Sequence, residues 1–172
     1  MSMIGNFRLV QPAALDALFD DPDLISKFLY NEMPDDEDED GPDPGGSLDV
    51  DKAWHGLHFL LTGTAWEGDP PLNFILGGEE IGEEDVGYGP ARGITNAELR
   101  EVAAALEPIT GDTLRARFDP AKMTALDIYP DIWKRPPEED DTVGYLLEYF
   151  ELLKPFIVKG AADGFALITY LN

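Results

Sequence analysis

His55 and His58 are the only histidines in the chain, three residues apart, with Asp51 one turn ahead of the first. Imidazole is the side chain that titrates nearest neutrality, so a general base working near pH 7 has to be one of these two. On one helix face they could also share a metal, with Asp51 as third ligand or orienting partner. Nothing else in the sequence completes such a set with specificity. The competing reading is packing. Trp54, Leu57, His58 and Leu61 recur at i, i+3, i+4 and i+7, which predicts a helix over about 52–62, capped by Asp51 and closed by Gly63. Lys52, His55 and Gly56 are left for its polar side. On this wheel His58 lies about 50° from the centre of the apolar stripe and His55 about 110°. His58 is therefore expected to be buried and neutral with a depressed pKa, and His55 to sit at the margin, where alanine should be nearly silent for stability.

Other chemistries are weaker. Asp36, Asp38, Asp40 and Gly41 match positions 1, 3, 5 and 6 of a calcium loop, but Ser47 stands at position 12 and prolines at 7 and 9, so cation condensation on an acidic loop is the better account. The glycines at 77–78 and 82–89 are interleaved with Glu79, Glu80, Glu83, Glu84 and Asp85, which would repel a phosphate. Ser2, Ser26 and Ser47, the only serines, occupy no strand-turn-helix elbow. No two carboxylates stand out as a glycosidase pair. No cofactor motif is present, and none is expected to bind. What remains is Trp66, Tyr88 and Arg92, each in a glycine-bearing loop. These are the residue types that anchor interfaces, although each taken alone fits a core plug or an ordinary ion pair.

Charge narrows the partners. The 172 residues carry 35 acids and 12 bases, for a net charge of -23. Glu32–Asp43, Glu79–Asp85 and Glu138–Asp141 hold 17 of the acids and no base, leaving 18 acids against the 12 bases elsewhere. Acidic loops on an ordinary scaffold argue against nucleic acid and anionic membranes and permit a basic protein partner. Solubility alone is the plainer explanation of such loops. Without cysteine, a basic-then-apolar leader or an apolar run long enough to span a bilayer, the chain is expected to be cytoplasmic.

The elements around these residues follow from pattern. A first strand is expected near 3–10, with Phe7 and Leu9 inward. Helices begin at Pro12 and after Asp21-Pro22. The stretch 34–47 is expected to be a mobile acidic loop. A short middle strand should lie within 87–94, followed by a helix opened by the capping box of Thr95 and Glu98. A further turn is expected over 114–118, and a short helix after Asp119-Pro120. The longest helix should run from about Asp141 to Ala162 with Pro155 inside it. Phe165 to Leu171 reads as a strand buried on both faces, central in its sheet. The expected fold is α+β over one domain, 1–172: a small mixed sheet of about three strands (N-terminal, middle and C-terminal) packed against several helices.

Three motifs carry a resemblance: Asp51-Lys52-Ala53-Trp54 with Leu57-His58-Phe59-Leu60-Leu61-Thr62-Gly63, then Leu76-Gly77-Gly78-Glu79-Glu80-Ile81-Gly82, then Gly87-Tyr88-Gly89-Pro90-Ala91-Arg92. In this order, after Met3-Ile4-Gly5, they resemble the YfbM-like family of small bacterial proteins of unknown function across essentially the whole chain. The resemblance implies an α+β fold of a few strands and many helices, and it implies no activity. Function therefore rests on the residues. The leading expectation is a non-enzymatic cytoplasmic protein-binding domain, immunity-like or regulatory, using its acidic surface. The rival is a small enzyme or ligand-binding domain with a pocket near His55, Trp66, Tyr88 and Arg92.

Overall fold

The computed structural model describes residues 2–30 and 46–172. Two long-range strands form the middle of the sheet. β1 (Gly5–Val10) runs antiparallel to β5 (Ala166–Leu171), pairing Gly5 with Leu171 and Val10 with Ala166. β2 (Ser47–Asp49) pairs with β1, β4 (Arg92–Ile94) with β5, and β3 (Glu79–Glu80) with β4, so the spatial order is β2-β1-β5-β4-β3. All four ladders are antiparallel. Among the described residues the sheet thus has five antiparallel strands, where a mixed sheet of about three was expected. The two additional strands are short edge pieces, Ser-Leu-Asp and Glu-Glu, with too few apolar residues for any alternation to show. The central position of β5 is as expected.

Alternation along the strands buries both faces. Phe7, Leu9, Ile94 and Leu167 face a helical layer made of α3 (Trp54–Thr62), α4 (Asn96–Leu106), α5 (Gly111–Arg117), α6 (Pro120–Ala125) and α7 (Thr142–Ala162). Val10, Ala166 and Ile168 face α1 (Pro12–Asp20) and α2 (Ile25–Tyr30), which bring Leu15, Leu18 and Ile25. Expected starts and stops recur as hydrogen bonds. Thr95 and Glu98 form the capping box of α4, Asp119 accepts from the Lys122 amide, and Asp141 accepts from the Gly144 amide. No helix among the described residues is long and apolar enough to cross a membrane.

Three expectations change. Asp51 does not cap α3: its backbone has φ of 50°, its carboxylate accepts the Tyr145 hydroxyl at 2.7 Å, and a turn of 3₁₀ helix over Asp51–Ala53 precedes the α-helix. The polar side of α3 does not exist either, because every residue from Trp54 to Leu61 is buried. The acidic stretch, with its calcium-like pattern, lies outside the described residues as far as Gly45. Its last residue, Ser47, begins β2 rather than ending a loop.

Candidate functional site

Cross-strand register places Arg92 directly opposite Thr169, and Thr169 opposite Phe7, so all three share the face that carries the large helical layer. At this end of the sheet the covering comes from the segment between α3 and β3. Phe74 packs on Phe7 with ring centroids 6.1 Å apart, and the Ile75 carbonyl accepts the Thr169 hydroxyl at 3.1 Å. A recess of about 310 Å³ is left open, walled by Trp66, Leu76, Tyr88, Pro90, Arg92 and Leu171 among others. Trp66 is 61 % exposed, the largest exposure of any large apolar side chain described, and so does not plug the core. Three of the four residues expected near a pocket therefore line one recess.

Tyr88 is held on a fixed turn. The Asp85 carboxylate accepts the amides of Gly87 and Gly89 at 2.8 and 3.0 Å, and these two donors hold its pKa below the ordinary carboxylate value. The Tyr88 amide then donates to the Leu171 carbonyl at 3.1 Å, which fastens the turn to the end of β5. Gly87 has φ of 154°, and a Cβ there would stand 2.6 Å from Asn172 Cα and 2.7 Å from the Leu171 carbonyl oxygen. Backbone cannot yield as a side chain can. Gly87→Ala should therefore cost roughly 2 kcal/mol and lift the turn off β5. Faster hydrogen exchange at the Tyr88 amide would show this, and unchanged exchange would contradict it.

His55 lies beneath this recess, fully buried rather than at a helix margin. Its ring stacks on Trp54 (4.7 Å, 8° between planes) and meets Trp66 at 4.4 Å, while Tyr129 lies 5.9 Å from Trp54. The Tyr129 amide donates to His55 Nδ1 at 2.8 Å, so the proton of the neutral ring sits on Nε2, which donates to the Ala65 carbonyl at 2.8 Å. Both nitrogens are thus committed to backbone. Burial drives its pKa down to about 4, against a smaller upward pull from the Ala65 carbonyl. His58 is buried as expected and its pKa is lowered, again by burial first. Its Nε2 donates to the Glu67 carbonyl at 2.8 Å, and Nδ1 has no partner among the described residues. The two imidazoles anchor the loop that presents Trp66.

Asp51, His55 and His58 therefore do not assemble into a metal set. No group of three or more metal-ligating side chains is found among the described residues. A larger concavity of about 550 Å³ lies between the starts of α6 and α7, walled by Phe118, Trp133, Pro136 and Pro137. Four of its five charged side chains are already engaged, since Asp119 and Asp141 cap those helices and Arg135 pairs with Asp140 at 2.8 Å. The recess at Trp66 is the better candidate because its aromatic groups are exposed on a rigid support. Sequence reasoning missed its other walls, Leu76, Thr169 and Leu171, and the Glu80 carboxylate paired with Arg92 at 3.2 Å. Only the β3–β4 register reveals that pair, and a Glu-Glu strand carries no pattern from which to infer it.

Fold and recess together define an α+β protein built on a five-stranded antiparallel sheet, with unequal helical layers on its two faces. The chain belongs to the family described as a domain of unknown function, DUF1877, whose model matches residues 1–170. It is similar to Protein YfbM of Escherichia coli (strain K12), with 36% identity over 88 residues, which is 49% of this chain and 52% of that protein. The match thus spans about half the length of that relative. The crystal structure of YfbM from Escherichia coli, titled a protein of unknown function, superposes with a TM-score of 0.69 at 24% identity, covering 98% of this chain and 99% of that one. That likeness establishes the fold, in keeping with the resemblance carried by the sequence motifs.

Proposed function

We propose that this chain is a protein-binding module, immunity-like or regulatory, whose recognition surface is the recess of Trp66, Tyr88 and Arg92 within an acidic exterior. The observation that carries the reading is convergence. Three interface-prone side chains from separate segments of the chain share one concavity, and hydrogen bonds to backbone stiffen the loops that hold two of them. Preformed loops lose little entropy on binding, so exposed aromatics there convert contact into affinity. His55, central to the enzyme alternative, would have to surrender a backbone hydrogen bond before moving a proton. A small ligand in the same recess is the second reading, favoured by a volume near the lower end of the range for such sites.

Capture from the host extract at low and high salt tests the proposal. The wild-type chain should retain a partner at low salt that Trp66→Ala fails to retain, while circular dichroism should find the variant folded at the assay temperature, with an unfolding temperature lowered by the lost cover over His55. If wild type and variant return identical sets of proteins, or each returns alone at both salts, the recess is not the recognition surface. A thermal-shift screen with metabolites addresses the small-ligand reading.

A further inference from the structure

We infer that the recess receives an arginine side chain from an extended basic segment of the partner, and that Arg92 occupies the incoming group's place in the unbound protein. The inference rests on the binding role proposed above and specifies the chemistry of the occupant. Trp66 and Tyr88 are exposed, at 61 % and 37 %, and aromatic rings attract a guanidinium through the ring quadrupole. The charge around them is negative. Glu80 opposes Arg92 across the β3–β4 ladder, Asp85 holds the turn bearing Tyr88, and Glu67 is the next residue after Trp66.

Among the described residues Arg92 is the only base lining the recess, and it spends one guanidinium nitrogen on Glu80 at 3.2 Å. Glu80 is exposed and Arg92 half-buried, 50% and 35% accessible at the side chain, and they make a single contact. Exposed single-contact pairs are weak and exchange readily. An incoming arginine could accept the same carboxylate in the two-pronged geometry that Arg92 does not use, leaving Arg92 to swing toward solvent. A carboxylate ligand would face the opposite situation. It would have to compete with Glu80 for Arg92 and approach beside Glu80 and Asp85, in a chain with a net charge of -23.

The two cases predict opposite signs for one substitution. The probe is a blocked hexapeptide, Gly-Arg-Gly-Arg-Gly-Gly, with its glutamate counterpart, titrated into the full chain at low ionic strength. The readout is tryptophan emission at the long-wavelength edge, where Trp66 dominates because Trp54 and Trp133 are buried at 0 % and 1 % exposure. The arginine peptide should quench this emission and the glutamate peptide should not. Arg92→Gln should tighten the arginine peptide about fivefold by removing the internal competitor, and Glu80→Gln should weaken it about fivefold or more. Glu80 is exposed and Arg92 half-buried with a single ion-pair contact, so circular dichroism should find both variants folded. Loss of binding in Arg92→Gln, or preference for the glutamate peptide, would overturn the inference and make Arg92 an anchor for anions within a surviving binding site. A wild type that responds to neither peptide overturns it as well. The binding role itself is judged separately, by partner capture with Trp66→Ala.

Discussion

His55→Ala is expected to lower the unfolding free energy by about 3 kcal/mol or more, rather than being nearly silent as a margin position would be. The imidazole is sealed between Trp54 and Trp66, and its loss removes the acceptor of the Tyr129 amide and the donor to the Ala65 carbonyl. Cavity and orphaned backbone groups act in the same direction. Acid should reach the same site. Above pH 6.5 the ring is neutral in folded and unfolded chains, and the full stability is present. As pH falls from about 6.5 toward the folded pKa of about 4, the unfolded chain takes up a proton that the native ring refuses. Stability is lost through that window, by up to about 3 kcal/mol for His55, and the lowered pKa of His58 adds to the loss. Neutralising carboxylates below about pH 5 relieves repulsion in so acidic a chain and pulls the other way, so a bulk stability curve mixes the two effects. Imidazole nitrogen resonances separate them. The His55 ring should remain neutral, with the proton on Nε2, from pH 8 down to about 5, His58 should titrate below the ordinary histidine value, and titration of either near 6.5 would refute the burial described.

Gly56→Ala is the second large effect, and its sign runs against helix propensity. In an exposed helix interior this substitution stabilises by about 1 kcal/mol. Gly56 instead sits where α3 meets α7 and the Trp133 indole. A Cβ there would lie 2.7 and 3.0 Å from the two Leu146 methyls and 2.9 Å from Trp133 Cη2. The indole has little room to give, being 1 % exposed with its N–H donating to the Ile128 carbonyl at 2.7 Å. Overpacking should outweigh propensity and leave a net loss of about 2 kcal/mol. The same substitution made in Leu146→Ala should be neutral or stabilising, because the added methyl then fills the space left by the truncation, a coupling of about 2 kcal/mol. Urea unfolding of the four proteins measures it. Equal effects of Gly56→Ala in both backgrounds would mean that the helices are not in contact at this point.

Legibility followed the physics of each signal. Caps and periodicities are local, and so Thr95 with Glu98, Asp119, Asp141 and the apolar stripe of α7 were readable, as was β5 from its uninterrupted apolar run. The placement of His55 was not. An amphipathic wheel assumes one wet side, whereas α3 is enclosed all round, with its far side covered by Trp66, the 128–133 segment and α7. Residue type pointed to Trp66, Tyr88 and Arg92. Their common recess came from the pairing of strands far apart in sequence, which no single window contains.

That pairing also sets an order of events. β5 stands between β1 and β4, so any chain that stops short of residue 166 can form only two separate ladders, β2 with β1 and β4 with β3, with a missing rung between them. Ile4 and Asn172 exchange backbone hydrogen bonds at 2.8 and 3.1 Å, closing the first strand onto the last residues. Contacts of such long sequence separation form late, and until they do α3 has no place to hide its apolar circumference. Thr169 and Leu171, two walls of the recess, and the Leu171 carbonyl that fastens the Tyr88 turn all arrive with this final strand. The recess is thus complete only where β5 is paired: a chain cut before residue 166 cannot form it, and its walls are missing from every copy in which that strand has not docked.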